Sequence, residues 1–146
     1  MNRRFLLSLA AALMLPLPAA AHNGVDHNPH HGGVLKTYGN NHFEAVLVPG
    51  GLQVFFSEAS GASLPASAVS QMEIEIERPG AKTEYVAMTI DPTGVFWFGK
   101  CQPITDPKSV ARIGFVLRGK PGMVEATGTA LLAAGKMAGG AHRDGH

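Results

Sequence analysis

The chain is short of most features that narrow a function quickly. Its 146 residues include one cysteine, Cys101, so no internal disulfide can form and the core alone must hold the fold. Aromatic residues make up 7%, with one tryptophan and two tyrosines, too few to build a flat aromatic platform for a substrate. Charged residues are sparse at 16%, with 12 basic against 11 acidic, which leaves no cationic footprint for nucleic acid. No pattern of nucleophile, base and orienting group emerges, so the chain reads as non-enzymatic.

One apolar run does stand out. Arg3 and Arg4 precede residues 5–17, which are broken only by Ser8 and Pro16, and Ala19, Ala20 and Ala21 follow. A basic start, a short apolar stretch and small residues at the positions an export peptidase reads predict a signal peptide cleaved after Ala21. The run is shorter than the roughly 20 residues a spanning helix needs. The mature chain is therefore expected to be periplasmic, with no membrane span. An uncleaved signal acting as an anchor is the competing reading. Removing 21 of 146 residues leaves 125, enough for one domain with a modest core.

Directly behind this segment the sequence is rich in histidine. His22, His27, His30 and His31, four of the seven in the chain, fall within ten residues. Imidazole suits copper, zinc and nickel, so residues 22–33 predict a metal-binding arm with these four histidines as ligands and Asp26 in support. Cleavage after Ala21 makes His22 the first residue, whose free amine and imidazole can close a chelate ring on one ion. Cleavage after Ala19 instead gives Ala-Ala-His, a spacing suited to square-planar copper(II) or nickel(II). The arm has only Val25 as an apolar residue and is expected to be flexible, and ordering it around an ion lowers affinity. A solvated polar tail with an incidental histidine tract is the alternative.

From residue 34 the pattern changes to strands. Residues 34–38 and 42–48 flank Gly39-Asn40-Asn41 and predict a hairpin. Residues 52–57 give a third strand, and residues 58–70 read as a loop or crossover. The clearest alternation is 71–78, with Met72, Ile74 and Ile76 on one face and Glu73, Glu75 and Glu77 on the other. Residues 83–90, 95–98, 110–118 and 123–132 supply the rest, the last as one strand or two. Short alternating strands separated by Gly and Pro predict an all-β fold, an antiparallel β-sandwich of Ig-like or cupredoxin-like type over residues 34–132, with a small barrel as the alternative. Residues 133–146, rich in Gly and Ala and carrying His142 and His146, read as a disordered tail.

Two further candidate ligands lie on the hairpin. His42 and Glu44 form an i, i+2 pair on the face opposite Phe43, Ala45 and Leu47, so they are expected to be exposed and rigidly presented. In a regular hairpin His31 stands at the far end from His42, roughly 20 Å away at about 3.3 Å per residue. Arm and strand are then not expected to share an ion, unless the arm folds back across the sheet or the ion bridges two chains. Cys101 has no second thiol and no histidine nearby in sequence, and reads as a buried structural residue.

The string Pro29-His30-His31-Gly32-Gly33-Val34, followed by Gly39 and by His42-Phe43-Glu44, resembles small exported bacterial proteins associated with heavy-metal resistance. It also looks like a segment of the periplasmic adaptor subunits of heavy-metal efflux pumps, although the long coiled-coil hairpin of a full adaptor is missing. The resemblance implies periplasmic handling of copper, zinc or a related ion, with His31, His42 and Glu44 at the matching positions. A terminal histidine before a β-sandwich is similar, too, to small periplasmic copper carriers and to copper-dependent polysaccharide-cleaving oxygenases, the latter a remote alternative given so few aromatic residues. The leading expectation is a periplasmic protein that buffers or delivers copper, zinc or nickel, linked to heavy-metal efflux. The alternative is an interaction domain that docks onto an efflux or envelope protein, with an incidental histidine tail.

Overall fold

The computed structural model describes residues 24–140. The predicted signal peptide and His22, like His142 and His146, lie outside them. In chain order the elements are β1 (Val34–Tyr38), β2 (Asn41–Val48), β3 (Gly51–Glu58), β4 (Ser63–Leu64), β5 (Val69–Glu77), β6 (Glu84–Ala87), β7 (Thr89–Ile90), β8 (Trp97–Lys100), β9 (Val110–Leu117), β10 (Lys120–Thr127) and α1 (Gly128–Gly140). Every strand pair is antiparallel. One sheet has the order β1-β2-β3-β8-β7 with β4 beside β3, and the other has the order β10-β9-β5-β6. The two pack face to face as the antiparallel β-sandwich that the alternation predicts.

The period of two sets what each sheet buries. In β5, Met72, Ile74 and Ile76 point inward while Glu73 and Glu77 face solvent. They meet Phe43 and Ala45 of β2, Leu52, Val54 and Phe56 of β3, and Ile113 and Phe115 of β9 in one continuous core. Full burial of each large apolar side chain contributes about 1.5–3 kcal/mol. Phe43 stacks on Phe115 at 4.1 Å between ring centroids and meets Phe56 edge-on at 5.0 Å, arrangements that aromatic quadrupoles favour. At the open edge between the sheets, Tyr38 lies edge-on to Phe115 and its hydroxyl donates to Pro121 O at 3.0 Å.

Two segments differ from the sequence reading. The strand expected over residues 83–90 divides at Met88. β6 pairs with β5 in one sheet and β7 pairs with β8 in the other, so the chain crosses between layers although its alternation continues. The strand expected over residues 123–132 ends at Thr127, and residues expected to be a disordered tail belong to α1. Thr127 Oγ1 accepts the Ala130 N–H at 3.3 Å, a helix N-cap bond, and the loop ahead of β9 accepts the next donors, Gly128 N to Ser109 O at 2.6 Å and Thr129 N to Pro107 O at 3.0 Å. Alanine-rich sequence favours helix, and Leu131 and Ala134, three residues apart, bury one face. Leu131 joins the main core, so Leu131→Ala is expected to destabilise the domain by about 2–5 kcal/mol, measured by urea denaturation. A change below 0.5 kcal/mol, the ordinary surface range, would mean that the helix is not part of the folded unit.

Asp91 organises the turn between β7 and β8, accepting N–H groups from Thr93 (2.9 Å), Val95 (2.9 Å) and Phe96 (3.0 Å) together with the Thr93 hydroxyl. Desolvation pushes its carboxyl pKa up, but the bonds from Phe96, Thr93 and Val95 outweigh this and lower it from 3.8 to about 2. A depressed folded-state pKa stabilises the fold above the unfolded value, and the contribution is lost as pH falls through the folded one. Asp91→Asn should therefore lower the Tm at neutral pH, and the gap from wild type should close as the pH drops from 3.8 to about 2. A gap that stays constant over that range would show that the charge is irrelevant to the turn.

Candidate functional site

Strand register assembles the site. Pairing of β2 with β1 and β3 places Thr37, His42 and Ser57 in one row and Leu35, Glu44 and Phe55 in the next. Phe43, Ala45, Val54 and Phe56 face the core, so these two rows point away from it. They are nevertheless covered. His42 is 1% exposed and Glu44 3%, which corrects the expectation of an exposed pair, and the cover is the arm.

The arm, expected to be flexible, lies against this outer face. Asp26 N–H donates to Ala59 O at 2.8 Å, just beyond β3. The His27 ring centroid sits 6.0 Å from that of His42, and the His31 ring stacks on Phe55 at 3.7 Å. The chain then reverses at Gly32-Gly33 and returns as β1, with Val34 opposite Ala45. Gly32 takes the left-handed φ of +74°, which side chains other than glycine adopt only with strain. At Gly33 a Cβ would stand 2.4 Å from the Ala45 carbonyl oxygen. The separation of roughly 20 Å expected of a straight approach to β1 is therefore overturned: the chain doubles back, and arm and strand histidines share one face.

Glu44 holds the arm in place. Oε1 accepts the N–H groups of His31 at 2.7 Å and Gly33 at 2.8 Å, and Oε2 accepts His30 N–H at 3.0 Å and lies 2.9 Å from His31 Nδ1. Burial pushes the Glu44 pKa up, but bonds from Gly33, His31 and His30 outweigh it and the net shift is downward. The group is thus a carboxylate, and His31 Nδ1 must carry the proton that faces it. A carboxylate offers about four lone-pair directions, and all are engaged. Glu44, expected as a ligand, serves here as the acceptor on which four donors converge.

The remaining candidates divide. The His30 ring is turned aside, its Nε2 2.8 Å from Asp26 Oδ2, and Asp26 Oδ1 also accepts from Asn28 at 2.9 and 3.0 Å. His42 Nε2 is buried and has no hydrogen-bond partner among the described residues. The His27 imidazole stands at a spacing that two rings on one ion can have, since metal–nitrogen bonds of about 2.0 Å put centroids about 5 to 6.5 Å apart. Among the described residues no group of three or more His, Cys, Asp or Glu side chains is gathered closely enough to enclose a metal ion. The space between His31, Glu44, Phe55 and Ser63 is about 10 Å³, far below the several hundred Å³ of an organic ligand site.

Sequence reasoning passed over Phe55, Gly32 and Gly33 as parts of this site. Phe55 did carry a signal: next to Phe56, it puts an aromatic ring on the face that alternation assigns to solvent. Cys101 is buried at the far end of β8. Desolvation and then the nearby Glu84 push its thiol pKa up, against Arg78, so it stays a thiol, consistent with a structural role. No protein-family model matches the chain, and no curated protein or solved structure is detectably similar to it.

Gly33→Ala should expel the arm from the sheet face and destabilise the protein by about 1–3 kcal/mol, as overpacking does. Amide exchange at His30 and His31 should accelerate with it. Unchanged protection of those two amides would refute the close approach as the cause of the reversal.

Proposed function

We propose that this protein is an exported, non-enzymatic metal-binding protein that buffers or delivers copper, zinc or nickel in the periplasm. The observation that carries the reading is His42. A buried, unpartnered polar atom destabilises a fold by about 1–3 kcal/mol, and such atoms persist where they have a use beyond stability. Here the use is an open ligand position. His42 Nε2 and His27 form the nucleus of the site, and His31, whose Nδ1–H is held by a carboxylate as metal-bound imidazoles commonly are, has no hydrogen bond to Nε2 among the described residues and can offer it to an ion. His22 stands five positions before His27, within at most about 17–18 Å of extended chain, and is the candidate to complete the set. Link to heavy-metal efflux rests on the resemblance carried by residues 29–34 and His42-Phe43-Glu44.

The reading predicts opposite effects on binding and stability. In protein recovered after export, with its N-terminus fixed by intact mass, native mass spectrometry should show one Cu²⁺, Zn²⁺ or Ni²⁺ retained at micromolar free metal. His42→Leu, close in volume and without the orphan nitrogen, should lose that ion while the metal-free protein keeps or gains stability by up to about 3 kcal/mol. Retention of the ion by His42→Leu, or no retention by wild type of any of the three metals, would end this assignment.

A further inference from the structure

Glu44 ties the arm to the sheet. It is the one buried carboxylate among the described residues, and three of the four groups it engages are backbone N–H donors, those of His30, His31 and Gly33. These bonds do not depend on the side chains at 30 and 31; they fix the path of the chain. The path brings His27 over the buried His42. Among the described residues, nothing else of comparable strength pins the arm. Its other ties are Asp26 N–H to Ala59 O, the His30 to Asp26 pair within the arm itself, and the stack of His31 on Phe55.

We propose that Glu44 is a positioning residue which, without touching the ion, docks the arm so that His27 and His42 face one another, making arm docking and metal binding a single linked equilibrium. The inference rests on the metal-binding reading above. Linkage is reciprocal: an ion that bridges His27 and His42 must hold the arm down by the same factor by which the docked arm tightens the ion. The two groups closest to the ion come from different segments, one from the arm and one from β2, so neither alone can retain it tightly.

Glu44→Gln keeps the shape of the side chain but exchanges one oxygen acceptor for an NH₂ donor, which cannot satisfy the four donors that converge there. Weakening an outer partner of a metal ligand typically reduces affinity 10–100-fold. In competition titrations with Cu²⁺, Glu44→Gln should bind about 10-fold or more weakly than wild type. At saturating Cu²⁺ its visible ligand-field band should coincide with that of wild type, because the ligands are the same. Added Cu²⁺ should slow amide exchange at His30, His31 and Gly33 in the wild-type protein. Trp97 fluorescence, from a ring in the core, reports whether the variant folds. Should it fail to fold, Gly32→Ala, strained at its left-handed φ but leaving the carboxylate and every imidazole in place, should show the same loss. Cu²⁺ affinity of Glu44→Gln within twofold of wild type, or a shifted band that makes Glu44 a ligand, would overturn the proposal while the metal-binding reading stood. Wild-type protein that retains none of Cu²⁺, Zn²⁺ and Ni²⁺ would overturn both.

Discussion

The site depends on one buried carboxylate and the donors that converge on it. Taking Glu44 out of water opposes folding by several kcal/mol when such a group is left alone. Hydrogen bonds to a charged group return about 1.5–3 kcal/mol each, and three backbone N–H groups and one imidazole N–H supply them. The balance works only if the chain bends so that successive donors aim at one point, and Gly32-Gly33 make that bend. Cover over the outer face of the first sheet, burial of His42 and stacking of His31 on Phe55 all follow from this contact.

The arrangement also explains why the first sheet is buried on both faces along β2, where four consecutive residues, His42 to Ala45, are inaccessible. Antiparallel sheets commonly leave one face to water. Here a polar face is enclosed by a polar segment, so the cover is made of hydrogen bonds and imidazole rings rather than an apolar layer. Such an enclosure must satisfy each polar group it traps. It does so for Glu44 and leaves His42 Nε2 without a partner among the described residues. Under the proposed reading, stability and metal binding pull apart at this atom, as stability and function commonly do.

Much of the architecture was legible in the chain. The alternation of Met72, Ile74 and Ile76 against three glutamates, and of Ala111, Ile113, Phe115 and Leu117, specified strands and their inward faces. The turn-forming cluster Gly39-Asn40-Asn41 specified a hairpin. What escaped were places where local pattern and long-range packing part company. β6 and β7 read as one strand because their alternation runs on through Met88, yet they belong to different sheets. Residues 128–140 read as strand and tail because an Ala- and Gly-rich segment has little periodicity to offer. Contact between Leu131 and the sandwich, together with the cap from Thr127, makes a helix of them.

For the candidate site the division has a definite cause. Residue types and spacing, His27, His30 and His31 in the arm and His42 with Glu44 on alternate positions of a strand, were enough to name imidazole chemistry and place the strand pair on a common face. They could not say that this face is covered, because the pleat determines only which side chains lie together, not what packs on them. The reversal at Gly32-Gly33 is a backbone event set by contact with Ala45, a residue of the neighbouring strand. Only the folded chain brings that contact about, and with it Glu44 becomes an anchor, His30 turns to Asp26, and His27 comes to stand over His42.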